Sequence, residues 1–175
     1  YCHNETISGL IFKTIPDIPD LPLVVDLSSI ILAQHFDVSR FALIYAGAQK
    51  NIGPSGITLV IIRDDLLGYA SPYTPDVLNY QKQSVSDSML NTPPTSIIYL
   101  TGLVFKWLLK QGGVDHIETI NKQKASIVYK YIDQSDLYTN NIDSAYRSIT
   151  NITFHLTRPE LETDFLKAAQ ARQLL

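Results

Sequence analysis

The chain has 175 residues, of which 45% are hydrophobic and 18% are charged, and its formal net charge is −3. This length suffices for one domain with a buried core, and the composition is typical of a soluble globular protein rather than a disordered one. The small negative charge gives no electrostatic argument for binding nucleic acid or an anionic membrane surface.

The cysteine count and the terminus exclude further classes. The only cysteine, Cys2, excludes an intrachain disulfide framework and a cysteine-rich zinc site, and it fits a reducing compartment. No apolar run is long enough for a membrane span, and the first residues do not have the pattern of a signal peptide. We therefore expect a cytoplasmic protein with no membrane partner. The sequence has no initiator methionine, and we expect it to begin within a domain.

The first half of the chain contains three short apolar runs that predict strands. The run Leu21–Val25 ends at Asp26, the second run is Phe41–Tyr45, and the third is Ile57–Ile62. Glycine and proline break the chain between the second and third runs. The short, non-helical connection predicts that these two strands are antiparallel. Residues 64–94 are expected to be rich in loops.

The second half is predicted to be mainly helical. Thr95 is a plausible first-turn residue of a helix that ends at Gly112, with Trp107 in the core. A second helix is predicted over 114–133, with Ile127, Val128, Tyr131 and Ile132 among its inward residues. A strand over 151–156 and a helix over 161–174 complete an α/β chain. The histidines lack metal-ligand spacing, and we expect no metal site.

The segment Ala46–Pro54 holds the most informative lysine. Lys50 follows a strand predicted to be buried and is framed by small residues, whereas lysine is almost never buried without a purpose. Burial lowers the pKa of a lysine amine, so that the amine can act as nucleophile and base. The pattern suggests a lysine that binds pyridoxal phosphate. An ordinary loop lysine is the alternative on the local pattern alone.

Asp26 strengthens the cofactor hypothesis because it also ends a predicted strand. Ligands of open α/β sheets bind at the carboxyl ends of strands. Pyridoxal phosphate needs a carboxylate beside its pyridinium nitrogen and a lysine at its aldehyde carbon. Asp26 and Lys50 supply these two groups. A helix-capping or turn aspartate is the simpler explanation of Asp26 when it is considered alone.

Several segments together resemble the phosphoserine aminotransferase family, within the class-V, fold-type I aminotransferases. The resemblance runs over nearly the whole chain and rests on residues 22–29, 46–56 and 91–95, supported by 4–7 and 102–108. The sequences Gly-Ala-Gln-Lys-Asn at 47–51 and Asn-Thr-Pro-Pro-Thr at 91–95 are its most specific parts. The resemblance implies a homodimer dependent on pyridoxal phosphate. That enzyme exchanges an amino group between glutamate and 3-phosphohydroxypyruvate, giving 3-phosphoserine and 2-oxoglutarate in serine biosynthesis.

The resemblance also implies a role for each matched residue. Lys50 would hold the cofactor covalently and act as the catalytic base, and Asp26 would pair with its pyridinium nitrogen. Thr6 would bond the phenolic oxygen of the cofactor, and Gln49 its phosphate. Asn91 and Thr92 would reach the cofactor phosphate of the other subunit. These neutral donors suit a dianionic phosphate, but the helix N-terminus that usually supplements them is not recognisable here.

The resemblance covers only part of the family's length. It implies that 1–142 is part of the large cofactor-binding domain and that 143–175 begins the small C-terminal domain. Family members carry substrate-binding residues before the position of Tyr1 and after that of Leu175, so we expect this chain alone to have little transaminase activity. Two alternatives remain: another class-V aminotransferase, and a catalytically inactive fragment that dimerises. Use of a related substrate from pyridoxine biosynthesis is also left open.

Overall fold

The computed structural model describes residues 2–3, 7–12, 14–15 and 18–174. Contacts divide the chain into two compact units. The first contains Tyr1–Glu5 and Thr14–Glu118, and the second contains Thr6–Lys13 and Thr119–Leu175. The predicted change of domain at residue 143 concerns the organisation of a longer enzyme and stays a prediction.

Four short strands form the sheet of the first unit. They are β1 (Cys2–His3), β2 (Val24–Asp26), β3 (Leu43–Gly47) and β4 (Thr58–Ile62), in this spatial order. β1, β2 and β3 are parallel, and β4 is antiparallel to β3. The three strands predicted from apolar runs and the antiparallel pairing of the last two are confirmed.

The core of the first unit lies around β2, β3 and the chain that follows each of them. On β3, Ile44 and Ala46 are buried while their neighbours are only half-buried, which is the alternation that a strand imposes. The loop after β2 contributes Leu27 and Ile30, which are 2% and 0% exposed. This packing fixes the carboxyl ends of β2 and β3.

One short helix was missed in the region predicted to be rich in loops. Helix α1 covers Tyr80–Val85 and begins after Asn79, whose side chain accepts a hydrogen bond from the Lys82 N–H at 3.2 Å. A capping asparagine is a recognisable start signal. The helix ends before Ser86 and is only six residues long.

Helix α2 covers Thr95–Lys110, so its predicted position is confirmed. The predicted burial of Trp107 is wrong, because 53% of this residue is exposed. The buried residues of α2 are Thr101 and Leu108, seven positions apart, and they mark a different face of the helix. Tyr99, Leu103 and Trp107 follow a four-residue spacing on a face that the described chain leaves uncovered.

Helix α3 covers Gly113–Asp133, and both Gly112 and Gly113 have positive φ, as the predicted glycine stop after α2 requires. From Thr119 onward it belongs to the second unit, where Ala125, Tyr129 and Ile132 are buried. The predicted inward set is only partly right: Ile132 is buried as predicted, but Ile127, Val128 and Tyr131 are all exposed. Both sets have helical spacing, and packing against Tyr138, Ile149 and Ile152 selects the observed one.

The second unit is completed by a small strand pair and a C-terminal helix. Strands β5 (Tyr138–Thr139) and β6 (His155–Leu156) are antiparallel, so the predicted strand over 151–156 is shorter than expected. Helix α4 covers Glu162–Ala171. Single 3-10 turns occur at Val38–Arg40, Asp64–Leu66, Asp76–Leu78, Ser144–Tyr146 and Pro159–Leu161. No helix in the described ranges has the length and apolarity needed to cross a membrane.

Candidate functional site

The candidate site lies at one edge of the sheet in the first unit. Since β1, β2 and β3 are parallel, their carboxyl ends share this edge. Asp26 is the last residue of β2; it is in register with His3 of β1 and with Tyr45 of β3. The loop that carries Lys50 begins just after Gly47, where β3 ends. The sheet therefore brings Asp26 and the lysine loop to the same edge.

A hydrogen-bonded relay connects the ends of β2 and β3. Oδ1 of Asp26 accepts the Ser28 N–H at 2.8 Å, and the Ser28 hydroxyl oxygen accepts the Gly47 N–H at 2.9 Å. The Leu27 N–H donates to the Tyr45 carbonyl at 3.0 Å. Asp26 is half-buried, and its Oδ2 accepts no hydrogen bond from any described residue. Among the described residues, one carboxylate oxygen thus orients the side chain and the other is left for a ligand.

The sequence interpretation overlooked Ser28 as a functional residue. Its signal is the Asp-x-Ser pattern at the end of an apolar run. Aspartate side chains commonly accept the backbone N–H two residues on, in an Asx-turn. In this chain the turn also places the hydroxyl oxygen of Ser28 where it accepts the N–H of Gly47, the last residue of β3 before the lysine loop.

The lysine loop, residues 48–57, is held by its own backbone. Ile52 and Gly53 donate their N–H groups to the Ala48 carbonyl at 3.2 and 2.8 Å, and Ala48 donates to the Ile57 carbonyl at 3.1 Å. Ala48 and Ile52 are 0% and 1% exposed. Residues four apart on one turn share a face. The buried pair therefore leaves the residues between them on the outside.

The predicted burial of Lys50 is wrong for this chain, because Lys50 and Gln49 are both exposed. The physical reason is the turn just described, which points Ala48 and Ile52 into the core in their place. The Gln49 side chain lies against Gly47, with its Oε1 2.7 Å from where a Cβ on that glycine would sit. Within the described ranges, the Lys50 amine has neither a hydrogen bond nor an ion pair.

The far end of the lysine loop packs closely on α2. A Cβ on Gly53 would lie 2.8 Å from Oγ1 of Thr101, and a Cβ on Gly56, at φ +118°, would lie 2.5 Å from Cδ1 of Ile97. The Asn51 side chain donates to the Ile31 carbonyl at 3.0 Å, which joins the loop to the chain that follows Asp26. Asn51 is a second positioning residue that the sequence interpretation overlooked.

Asn91 and Thr92 lie apart from this cluster, in the stretch that leads into α2. Both are exposed, and the Asn91 side chain donates to the Thr92 carbonyl at 3.5 Å. No hydrogen bond joins either residue to Asp26, Gln49 or Lys50 among the described residues. The other predicted site residue, Thr6, lies outside the described residues.

The groups at this edge fit pyridoxal phosphate in their chemistry. Asp26 offers a carboxylate oxygen to a ring N–H, Lys50 offers a primary amine, and Gln49 offers amide donors suited to phosphate. No group of three or more His, Cys, Asp or Glu side chains that could hold a metal ion occurs in the described part of the chain.

Comparison with known proteins gives one consistent result. The sequence profile of the family described as aminotransferase class-V matches residues 1–172. The phosphoserine aminotransferase of Hahella chejuensis is 55% identical over 175 residues, covering 100% of this chain and 48% of that protein. The chain therefore spans about half the length of the curated relatives it matches.

Solved structures show the same likeness. The phosphoserine aminotransferase of Bacillus circulans subsp. alkalophilus matches with a TM-score of 0.92 and 44% identity, over 98% of this chain and 49% of that one. The enzyme of Trichomonas vaginalis, described as bound to pyridoxal phosphate, matches with a TM-score of 0.91 and 36% identity, over 98% and 49%. The predicted α/β architecture of a fold-type I aminotransferase is thereby confirmed.

Proposed function

The chain belongs to the class-V aminotransferase family, and we propose that it forms the cofactor-lysine part of a phosphoserine aminotransferase. The reaction moves an amino group from glutamate to 3-phosphohydroxypyruvate, giving 2-oxoglutarate and 3-phosphoserine in serine biosynthesis. The observation that carries the proposal is the shared edge of β2 and β3, where the Ser28 relay joins Asp26 to the start of the lysine loop. We further propose that 1–142 belongs to the cofactor-binding domain and 143–175 to the small domain.

Pyridoxal phosphate, when bound, supplies an electron sink for the substrate α-carbon. Lys50 would hold the cofactor covalently, give it up to the substrate amine, and then move the proton at the α-carbon as a general base. The exposed Lys50 side chain, with no partner in the described ranges, is free for both tasks. Oδ2 of Asp26, which accepts no hydrogen bond from a described residue, would accept the ring N–H and keep that nitrogen protonated.

The phosphate would be bound by neutral donors from two subunits. Gln49 would contribute from the lysine loop, and Asn91 and Thr92 would contribute to the site of a second copy. Their exposure, and the lack of any hydrogen bond to the site residues of their own described chain, support this arrangement.

A homodimer is also supported by large exposed apolar side chains on both sides of Asn91 and Thr92 in the sequence. Tyr73 before them and Trp107 after them are 93% and 53% exposed. Exposed apolar surface favours a protein–protein contact. The single cysteine supports a cytoplasmic location.

The test is covalent trapping in the full-length protein. Pyridoxal phosphate is added, the complex is reduced with borohydride, and peptides are analysed by mass spectrometry. We expect the cofactor on Lys50, and no trapped cofactor in Lys50→Arg. Lys82, whose amine pairs with Asp76, is the internal control that should stay unlabelled.

The outcomes separate the candidate functions. Labelling of Lys50, together with turnover of glutamate and 3-phosphohydroxypyruvate, supports the proposal. Labelling without turnover of this pair, but with another oxo acid, indicates a different class-V aminotransferase. If Lys50 stays unlabelled at saturating cofactor, the enzyme assignment fails and an inactive dimerising protein is favoured.

A further inference from the structure

The chain just after Asp26 contains a backbone angle that leucine rarely adopts. Leu32 has φ +64°, in the left-handed region, where the Cβ comes too close to a backbone carbonyl oxygen. Its neighbours are buried, since Ile31 is 8% exposed and Ala33 is 2% exposed. Strained residues persist only where their surroundings determine them, and they cluster at functional sites. Leu32 is therefore a reason to ask what this turn positions.

The left-handed angle orients the carbonyl of the preceding residue. A peptide unit is planar, so the φ of Leu32 sets the direction of the Ile31 carbonyl. Earlier in the turn, the Leu27 carbonyl accepts the N–H groups of Ile30 and Ile31 at 2.9 and 2.8 Å. The Ile31 carbonyl instead accepts the Asn51 side chain, at 3.0 Å. The strain at Leu32 and the hydrogen bond of Asn51 are thus two parts of one arrangement.

This arrangement anchors the lysine loop on the C-terminal side of Lys50. Asn51 is the next residue along the chain, so its Cα lies about 3.8 Å from that of Lys50. On the N-terminal side, the Gly47 N–H donates to the Ser28 hydroxyl oxygen at 2.9 Å. Both anchors reach the chain that follows β2. They fix the backbone around Lys50, whose amine has no partner among the described residues.

We propose that Leu32 and Asn51 are positioning residues for Lys50. The left-handed Leu32 presents the Ile31 carbonyl to Asn51, and this hydrogen bond fixes the backbone from which the lysine side chain extends. A covalent link can form wherever the flexible side chain reaches, whereas proton transfer needs the amine at hydrogen-bond distance in one geometry. The proposal rests on the proposed function for these two tasks of Lys50. The anchoring of the loop rests on the contacts above.

The first experiment tests the anchoring without the cofactor. Hydrogen exchange of the Ile52 and Gly53 amides, which donate to the Ala48 carbonyl, is measured in the full-length apo protein. We expect Asn51→Ala to speed exchange about three- to tenfold, which is the worth of one hydrogen bond. Leu32→Val should also speed it, because a β-branched residue fits a positive φ poorly. Unchanged exchange in either variant would overturn the proposal.

Two control variants make the same changes elsewhere in the chain. The Asn140 side chain also donates to a backbone carbonyl, that of Thr153, at 2.6 Å. Leu67 is half-buried like Leu32, but it has φ −73°, which valine adopts without strain. Asn140→Ala and Leu67→Val should leave exchange in the lysine loop unchanged. Equal acceleration by a control would indicate general loosening of the protein, against the proposal.

A further substitution at Leu32 separates the backbone angle from the side chain. Glycine adopts φ +64° at no steric cost, so exchange in Leu32→Gly should stay within about twofold of the natural protein. Exchange as fast as in Asn51→Ala would show that the leucine side chain holds the turn, and the proposal would fail. Leu32→Gly also decides the role of this residue if Leu32→Val does not fold.

The second experiment separates positioning of Lys50 from a general structural role. In the full-length enzyme, Asn51→Ala should lower kcat about tenfold, while the dissociation constant of pyridoxal phosphate changes less than about threefold. Adding Leu32→Val to Asn51→Ala should lower kcat by no more than about another twofold, because Leu32 acts through Asn51.

The failures of the two proposals are distinguishable. Unchanged kcat in Asn51→Ala, or a parallel loss of kcat and cofactor affinity, overturns the positioning role while the cofactor is still trapped on Lys50. Absence of trapped cofactor on Lys50 in the natural enzyme overturns the proposed function and the positioning role together.

Discussion

Two pairs of opposite charge, one in each unit, are treated in opposite ways by the fold. In the second unit, Arg147 forms two hydrogen bonds with the Asp133 carboxylate, at 2.7 and 2.8 Å. In the first unit, Asp26 and Lys50 share a sheet edge but form no ion pair in the described part of the chain. The sequence alone does not tell the two pairs apart, since each combines an aspartate with a basic residue that lies further along the chain.

The Arg147–Asp133 pair has further partners around it. Besides Asp133, the guanidinium donates to the Ile142 carbonyl at 3.2 Å and lies 4.8 Å from the ring centroid of Tyr129. The Tyr129 hydroxyl donates to the Ser148 carbonyl at 2.8 Å, and burial raises the pKa of Tyr129. The guanidinium, the Asp133 carboxylate and the Tyr129 hydroxyl therefore each have a hydrogen-bond partner within the fold.

The contrast teaches how to recognise the site. Polar groups that only support a fold have hydrogen-bond partners, because burying a polar group without a partner costs free energy. Among the described residues, one carboxylate oxygen of Asp26 accepts a hydrogen bond from Ser28 and the other accepts none, and the Lys50 amine has no partner. Groups that are held in place but have hydrogen-bonding capacity left are candidates for ligand chemistry. The same substitution, Asp→Asn, at Asp26 and at Asp133 tests this distinction.

The largest expected effect is on catalysis at Asp26. Asp26→Asn keeps the shape and an oxygen for the Ser28 N–H, but it removes the charge that would keep the ring nitrogen of the cofactor protonated. We expect kcat of the full-length enzyme to fall about 100- to 1000-fold. Steady-state kinetics with glutamate and 3-phosphohydroxypyruvate measures it.

Asp133→Asn is the matched control for charge removal. It breaks the pair with Arg147 in the second unit, so we expect a lower thermal midpoint and kcat within about threefold of the natural enzyme. The contrast between the two pairs fails if Asp133→Asn lowers kcat and Asp26→Asn lowers only the thermal midpoint. The Arg147–Asp133 pair would then be the functional one.

The next largest effect is on stability at Arg147. The side chain is 14% exposed, and Arg147→Ala removes its three hydrogen-bond contacts and its packing on Tyr129. We expect about 2 kcal/mol lower free energy of unfolding, measured by denaturant titration. Arg63→Ala is the control: Arg63 also forms a two-fold pair, with Asp65, but its side chain is 50% exposed, so we expect no measurable change.

The pH dependence of the free energy of unfolding is a second test of the Arg147–Asp133 pair. The hydrogen bonds from Arg147 lower the pKa of Asp133 below its ordinary value. Because the pKa of Asp133 is lower in the folded protein than in the unfolded chain, the stabilisation by the pair is fully present above the pKa of the unfolded chain, about 3.9. It is lost as the pH falls through the pKa that Asp133 has in the folded protein. The stability gap between the natural protein and Arg147→Ala should therefore narrow below about pH 4. A gap that widens there would show that the ion pair is not its cause.

The sequence predicts the parts of this molecule that depend on local pattern. The strands next to Asp26 and the lysine loop are predictable because their apolar runs end at turn residues. The parallel pairing of β2 and β3 then brings their carboxyl ends to the same edge of the sheet. The phase of α3 was not predictable, since Tyr129 and Tyr131 are equally compatible with a helical stripe and only packing decides between them. The exposure of Lys50 was missed because the backbone turn at Ala48 has no distinct sequence signal.

The smallest expected effect concerns Thr101, a third kind of polar group that is buried but has no partner. It is 6% exposed, and its hydroxyl forms no hydrogen bond with the described residues around it. Thr101→Val keeps the shape beside Gly53 and removes the unpaired hydroxyl, so we expect the free energy of unfolding to rise by about 1 kcal/mol. Thr163→Val, at an exposed position of α4, should change it by less than about 0.5 kcal/mol. A loss of stability in Thr101→Val of the full-length enzyme would mean that this hydroxyl, next to the lysine loop, has a partner there and belongs with Asp26 and Lys50 among the groups kept for function.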